Sequence, residues 1–147
     1  MAEFYTMEIA GLTRNLPFCP LNDKIDIAAF VMFSDVELTV ASATELIKIA
    51  PECDIIVTAE SKGIPLAYEM ARQLGIKYVV ARKSVKLYMS DPIIVDVQSI
   101  TTAAKQSLIL DRNEANWLKG KRVLVVDDVI STGESLAAVE KLIGFAE

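Results

Sequence analysis

Two adjacent carboxylates, Asp127 and Asp128, end a run of branched aliphatic residues. The run, Arg122–Asp127, predicts a central parallel strand that is buried on both faces. Ligands of open α/β sheets bind at the carboxyl ends of the strands, so we expect both acids at that edge. Two acids at the mouth of a core are costly unless hydrogen-bond donors or a cation meet them. Ribose hydroxyls and a hydrated Mg²⁺ are both suitable partners.

Small hydroxyl residues and a glycine come soon after the acids, at the start of a helix predicted from about Ser135 to Phe145. Their hydroxyls, the exposed backbone N–H groups and the positive end of the helix dipole together suit a phosphate monoester. Diol-binding acids beside such a phosphate cradle describe a ribose 5-phosphate pocket. The cradle residues are Ser131, Thr132, Gly133 and Ser135.

The segment Val125-Val-Asp-Asp-Val-Ile-Ser-Thr-Gly133 resembles the phosphoribosyl-pyrophosphate motif of the type I phosphoribosyltransferases. The likeness is closest to the adenine and xanthine phosphoribosyltransferases. It implies that the two acids contact the ribose hydroxyls, with Mg²⁺ held nearby through the substrate rather than by the protein directly. It also implies that Ile130 lies near the base and that the 5-phosphate is bound by Ser131, Thr132, Gly133, Glu134 and Ser135.

Two further segments fit this resemblance. The loop Ala59–Gly63 follows a strand predicted at Asp54–Thr58 and precedes a helix that Gly75 should end. It resembles the family's pyrophosphate loop, whose backbone amides meet the diphosphate. A basic pair follows the strand predicted at Tyr78–Ala81 and would hold the leaving pyrophosphate. The implied diphosphate contacts are Glu60, Ser61, Lys62, Gly63, Arg82 and Lys83.

The resemblance spans about residues 35–147 and implies an α/β fold with a doubly wound, mainly parallel sheet. Residues 1–35 would form a partial hood, with Phe18 stacking on a purine. Residues 84–111 would form a projecting, flexible hairpin that closes over the site and excludes water. Separately, the capping-box spacing of Ser42 to Glu45 predicts a helix that Pro51 stops.

The sequence departs from the family pattern at Thr101, which stands where adenine phosphoribosyltransferases carry an acid in the hairpin. Adenine is still the favoured base, and phosphoribosyl pyrophosphate the implied co-substrate. The departure keeps open a regulatory protein that binds phosphoribosyl pyrophosphate without catalysis, and a pyrimidine or orotate enzyme is a third reading. Because the chain ends directly after the helix that follows the motif, we expect either a piece of a longer protein or a reduced C-terminal part.

Composition narrows the function classes further. The 147 residues suit one domain, and the net charge of -5 argues against partners such as nucleic acid or anionic membrane. The absence of histidine excludes Ser-His and Cys-His catalysis and His-ligated metals. Cys19 and Cys53 read as reduced thiols, so we expect a cytoplasmic protein. The resemblance implies a homodimer.

Two other nucleotide- or phosphate-related folds do not fit the acid pair. A receiver-like domain carries such a pair on its first strand, whereas here only about one helix follows it. A Walker-type P-loop is excluded because the sequence has no Gly-Lys-Ser/Thr.

Overall fold

The computed structural model describes residues 3–97 and 106–145. The described helices are Val36–Ile49 (α1), Ile64–Leu74 (α2), Arg112–Leu118 (α3) and Glu134–Gly144 (α4). The described strands are Phe4–Ile9 (β1), Leu12–Asn22 (β2), Ile25–Ala28 (β3), Ile55–Ala59 (β4), Lys77–Ala81 (β5), Pro92–Val97 (β6), Gln106–Asp111 (β7) and Val123–Val125 (β8).

A parallel sheet with the strand order β5-β4-β8 lies at the centre of the fold. Val57 of β4 pairs with Val79 of β5 on one side and with Val125 of β8 on the other. The strand predicted after Arg122 is confirmed, but its predicted central position is wrong. Among the described residues β8 pairs only with β4, so β4 is the central strand. A run of consecutive aliphatic residues indicates that both faces of a strand are covered, but it does not indicate whether the strand is paired on both sides.

Helices cover both faces of this sheet, which confirms the doubly wound α/β architecture. On one face α1 and α2 bury a cluster that includes Ala43, Ile56 and Leu66. On the other face α3 and α4 pack with β6 and β7 around Val57 and Leu110. Pro65 lies in the first turn of α2, and Gly75 ends that helix with φ 67°, as predicted.

Residues 4–28 form an antiparallel sheet in the order β1-β2-β3. The turn between β1 and β2 is the pair Ala10-Gly11, whose φ values of 51° and 78° suit a two-residue hairpin. The sequence predicted a hood here but no strand at β1. An alanine in the first position of such a turn gives a weak signal, because asparagine, aspartate or glycine is usual there.

Helix α1 begins seven residues before the position that the capping-box spacing predicted. Its N-cap is Asp35, whose Oδ1 accepts the backbone N–H of Leu38 at 3.0 Å. The same carboxylate receives the Arg14 guanidinium from β2, with Nε to Oδ2 at 2.7 Å. Ser42 therefore lies inside the helix and does not cap it. The helix ends at Ile49, ahead of Pro51, as predicted.

The predicted hairpin is confirmed as the antiparallel pair β6–β7, with Ile93 opposite Leu110. Its strands do not stand clear of the domain, because Val95 and Leu108 are buried in the core. Arg82 and Ile109 exchange backbone hydrogen bonds of 2.8 Å, which joins β7 to the end of β5. In β6 the buried Ile93 and Val95 alternate with the exposed Ile94, so one face of that strand packs on the sheet. The polar segment between them, with Thr101, falls at 98–105, outside the described residues.

Helix α3 follows β7 directly and was not predicted, because its seven residues are too few to establish a helical period. Ala115 and Leu118 are its buried residues. Within residues 3–97 and 106–145, no helix has the length and apolar character needed to cross a membrane.

We expect Asp35→Ala to lower the free energy of unfolding by about 1–2 kcal/mol, because the helix loses its N-cap and β2 loses its ion pair with α1. Urea denaturation measures the change. Glu37→Ala is the matched control, since it removes a second carboxylate from Arg14 (3.0 Å) and leaves the cap intact. Equal losses in the two variants would contradict the capping role.

Candidate active site

The carboxyl ends of the parallel strands and the amino ends of two helices meet at one edge of the central sheet. Ala59 ends β4 beside Ala81, which ends β5. Asp127 follows β8 after Val126, whose N–H still donates to the Val57 carbonyl at 2.9 Å. Helix α2 begins five residues after the end of β4, and α4 begins nine residues after the end of β8. The structure therefore brings both predicted binding loops to the same edge.

A cavity of about 420 Å³ opens between these two loops. Lys62 and Lys83 line it together with the carboxylates that follow β8, so cationic and anionic groups share its walls. Ser107 and Leu108 of β7 form part of its lining, which the sequence had not predicted. The predicted site residues that line it are Glu60, Ser61, Lys62, Lys83, Asp127, Asp128, Glu134 and Ser135.

A smaller cavity of about 90 Å³ lies in the loop before α4 and shares Ala59, Asp127 and Ser135 with the first. Its volume leaves room for a group of only a few heavy atoms. Gly133 adopts φ 84° as the residue before α4, a conformation that favours glycine. The predicted site residues that line it are Asp127, Ile130, Ser131, Thr132, Gly133 and Ser135.

Gly63 is where the two loops touch. A Cβ at this position would lie 2.7 Å from Thr58 Oγ1 and 2.9 Å from Asp127 Oδ1. The residue has φ −78°, so the lack of space and not the backbone conformation requires glycine. Thr58 Oγ1 is buried and has no hydrogen-bond partner among the described residues. Gly63 thus packs closely against Thr58 and Asp127, and it lines neither of these two cavities.

Arg82 does not line the cavity that its neighbour Lys83 lines. Its Nε donates to Glu60 Oε1 at 3.3 Å, and its Nη1 donates to the Tyr88 hydroxyl at 2.8 Å. The other oxygen of Glu60 accepts the backbone N–H of Lys83 at 2.9 Å. That N–H, and then the Arg82 guanidinium, hold the pKa of Glu60 below its usual value. Arg82 therefore fixes the loop, and its predicted contact with the diphosphate stays a prediction.

Asp127 carries the perturbed carboxyl of the site. Burial, and next the neighbouring Asp128 side chain, raise the pKa of Asp127 from 3.8 to about 6. The backbone N–H of Asp128, which donates to Asp127 Oδ1 at 2.8 Å, opposes this shift, as does the charge of Lys83. The charged form of a half-buried acid with a raised pKa is stabilised by any ligand that supplies hydroxyl donors or a cation.

A third cavity, of about 420 Å³, lies between the N-terminal sheet and the core. Ile130 and Phe30 line it, and so do Asp127 and Asp128. Phe18, the predicted stacking residue, lines none of these three cavities and is 44% exposed on β2. Phe30 lies in the segment between β3 and α1. The hood segment contains four phenylalanines, and no periodic signal in the sequence chooses among them: Phe4, Phe18, Phe30 and Phe33.

The two carboxylates after β8 fit magnesium that arrives with a phosphorylated ligand. Mg²⁺ prefers oxygen ligands and is commonly bound through one or two carboxylates plus substrate phosphates. Asp127 and Asp128 supply such carboxylates beside a cavity lined by lysines. The raised pKa of Asp127 shows that the protein alone stabilises its charged form poorly, and a nearby cation would stabilise it.

A family model described as the phosphoribosyl transferase domain matches residues 38–145 of this chain. The matched residues include both candidate loops, Lys83 and the acid pair.

Curated relatives carry the names of purine phosphoribosyltransferases. The chain is 42% identical over 100 residues to a hypoxanthine/guanine phosphoribosyltransferase of Methanothermococcus okinawensis, covering 67% of this chain and 51% of the relative. It is 37% identical over 93 residues to a xanthine phosphoribosyltransferase of an Exiguobacterium species, covering 63% of this chain and 47% of that one. The chain spans about half the length of these relatives.

The solved structure of adenine phosphoribosyltransferase from Thermoanaerobacter pseudethanolicus shares the fold. It matches with a TM-score of 0.74 at 24% identity, covering 89% of this chain and 76% of that chain. The predicted type I phosphoribosyltransferase fold is thereby confirmed.

We expect Gly63→Ala to lower the free energy of unfolding by about 1–3 kcal/mol, because the new methyl group overpacks the contact with Thr58 and Asp127. It should also weaken binding of ribose 5-phosphate, measured by isothermal titration calorimetry, since Asp127 must shift. Gly144→Ala, at a helical glycine with open space around it, is the control and should be neutral or stabilising. Full binding in Gly63→Ala would show that Asp127 tolerates displacement.

We expect the contribution of Asp127 to the unfolding free energy of the unliganded protein to fall as the pH rises from about 4 to about 6. A carboxyl whose pKa rises on folding stabilises the protein below its unfolded pKa, and the stabilisation is lost as pH rises through the folded value. The asparagine of Asp127→Asn does not titrate. The unfolding free energy of the wild type minus that of the variant should therefore fall across this interval. A difference that rises with pH would refute the raised pKa.

Proposed function

This chain belongs to the phosphoribosyltransferase family, and we propose that it transfers ribose 5-phosphate from phosphoribosyl pyrophosphate to a purine base, releasing pyrophosphate. One observation carries the proposal: Asp127 lines all three cavities at the sheet edge. A sugar placed against Asp127 would reach the phosphate cradle, the lysine-lined cavity and the apolar cavity beneath the hood. The three substituents of the reacting ribose need three such compartments.

Each compartment suits one part of the substrates. The small cavity before α4, with its serine and threonine hydroxyls at a helix N-terminus, suits the 5-phosphate. The cavity with Lys62 and Lys83 suits the diphosphate, whose charge needs cations on this acidic protein. The cavity with Phe30 and Ile130 suits a flat, largely apolar base.

In the proposed reaction, a ring nitrogen of the base bonds to the anomeric carbon while the bond from that carbon to the diphosphate oxygen breaks. The electron pair leaves with the diphosphate, and the ring nitrogen gives up its proton. Asp127 and Asp128 hold the ribose hydroxyls and lie beside the positive charge that develops on the sugar. Catalysis then comes from positioning the two reactants and from electrostatic stabilisation of the sugar and the leaving group.

Magnesium bound to the diphosphate would neutralise charge on the leaving group. The substrate would hold this ion near Asp127 and Asp128, whose carboxylates can accept hydrogen bonds from its water ligands, beside the cavity with Lys62 and Lys83. Arg82 acts here as a positioning residue, because it fixes Glu60 and the loop that carries Lys62. Closure of the hairpin, residues 84–111, over the site stays a prediction, and its strands β6 and β7 are packed in the core.

The alternative functions can be distinguished by whether pyrophosphate is released and by which base supports its release. A regulatory protein of this fold would bind phosphoribosyl pyrophosphate and release no pyrophosphate when a base is added. The reported relatives are named as enzymes, which favours turnover. A pyrimidine or orotate enzyme would be revealed by a screen of bases. The expected homodimer and cytoplasmic location stay predictions.

We expect the double variant Asp127→Asn, Asp128→Asn to lose pyrophosphate release entirely, because neither the ribose hydroxyls nor magnesium finds a carboxylate. Release is measured with phosphoribosyl pyrophosphate, Mg²⁺ and each of adenine, guanine, hypoxanthine and xanthine. Asp23→Asn, in the exposed turn between β2 and β3, is the control and should retain the wild-type rate. Unchanged turnover in the double variant would overturn the proposed function.

A further inference from the structure

The apolar cavity beneath the hood has two polar residues that the proposed chemistry at the ribose does not use. Its lining is mostly aliphatic or aromatic, with Asp127 and Asp128 at one side. The remaining polar lining residues are Ser42 and Glu45, which lie three positions apart on α1 and therefore on one face of that helix. Ligand cavities of this kind use a few placed polar groups to select and orient the ligand.

Ser42 is unexpected as a structural residue. It is 8% exposed, and its Oγ has no hydrogen-bond partner among the described residues. A buried hydroxyl without a partner destabilises the fold, so such a group calls for an explanation such as a ligand. Helical serines usually satisfy the hydroxyl through the carbonyl four residues earlier, and Thr44 does so with Val40 at 3.0 Å. Ser42 lies in the same helix and lacks that bond.

Glu45 supplies a charged acceptor on the same face of α1 as Ser42. Its Oε1 receives Lys48 Nζ at 2.6 Å, and its side chain is 53% exposed. No lysine or arginine lines this cavity within the part of the chain that the structure describes. A carboxylate accepts hydrogen bonds and repels carbonyl oxygens, whereas a hydroxyl can donate or accept. The pair therefore matches a base edge with N–H groups facing Glu45 and an acceptor facing Ser42.

We propose that Ser42 and Glu45 determine base specificity by reading the edge of the purine ring, and that they select guanine over xanthine. The inference rests on the proposed function, because it assigns the base to this cavity. Guanine offers N1–H and the 2-amino group to one carboxylate, and its O6 can accept from the Ser42 hydroxyl. Xanthine has O2 in place of that amino group and N3–H in place of the unprotonated N3, so its O2 would face the carboxylate.

The test is equilibrium binding of the two product nucleotides, guanosine and xanthosine 5′-monophosphate, to the 147-residue chain by isothermal titration calorimetry. The wild type should bind the guanosine nucleotide more tightly by roughly ten- to a hundredfold, the range for a hydrogen bond to a charged group. Glu45→Gln should reduce this preference at least tenfold, because its amide can donate to O2. Ser42→Ala should weaken both nucleotides without lowering the free energy of unfolding, since it removes a buried hydroxyl that has no partner.

Lys48→Met is the matched control for Glu45→Gln. It breaks the same ion pair and keeps the carboxylate, so it should leave the preference between the two nucleotides unchanged. A preference that Glu45→Gln does not alter, or that Lys48→Met alters equally, would overturn the specificity role while leaving the proposed function intact. Failure of the wild type to bind either nucleotide would overturn the specificity role alone, because the proposed function is tested separately by pyrophosphate release with all four purine bases.

Discussion

A half-buried pair of carboxylates at the end of β8 is the constraint on which the site depends. Burial raises the pKa of Asp127, and a glycine at position 63 is needed because any larger side chain would displace that carboxylate. The buried Thr58 hydroxyl beside Gly63 has no hydrogen-bond partner in the described part of the chain. The protein thus holds a charge and a hydroxyl in positions that are unfavourable for the unliganded fold and suited to a polyhydroxylated, phosphorylated ligand.

The rest of the fold keeps that edge in place and supplies its three compartments. The parallel sheet aligns the ends of β4, β5 and β8, and the Glu60–Arg82 pair fixes the loop that carries Lys62. The Arg14–Asp35 ion pair joins the N-terminal sheet to the start of α1, so the hood and the helix that line the apolar cavity share one anchor. Asp127 therefore faces compartments built from separate parts of the chain.

The sequence predicted most of what lies near the acid pair, because its signals are local. A buried strand, a glycine-containing loop and a helix start within a few residues of one another, and Gly75 ends α2 where a left-handed residue is wanted. Other features depend on contacts between distant residues. The early start of α1 needs Arg14, the role of Arg82 needs Glu60, and the choice of Phe30 over Phe18 needs the path of the hood. No spacing rule reports such contacts.

A crystal structure of the protein with ribose 5-phosphate and Mg²⁺ tests the central claim most directly. The account predicts the phosphate at the start of α4, against residues 131–135, with the ribose hydroxyls within hydrogen-bond distance of Asp127 and Asp128. A phosphate held between Lys62 and Lys83, with the sugar away from both acids, would contradict it.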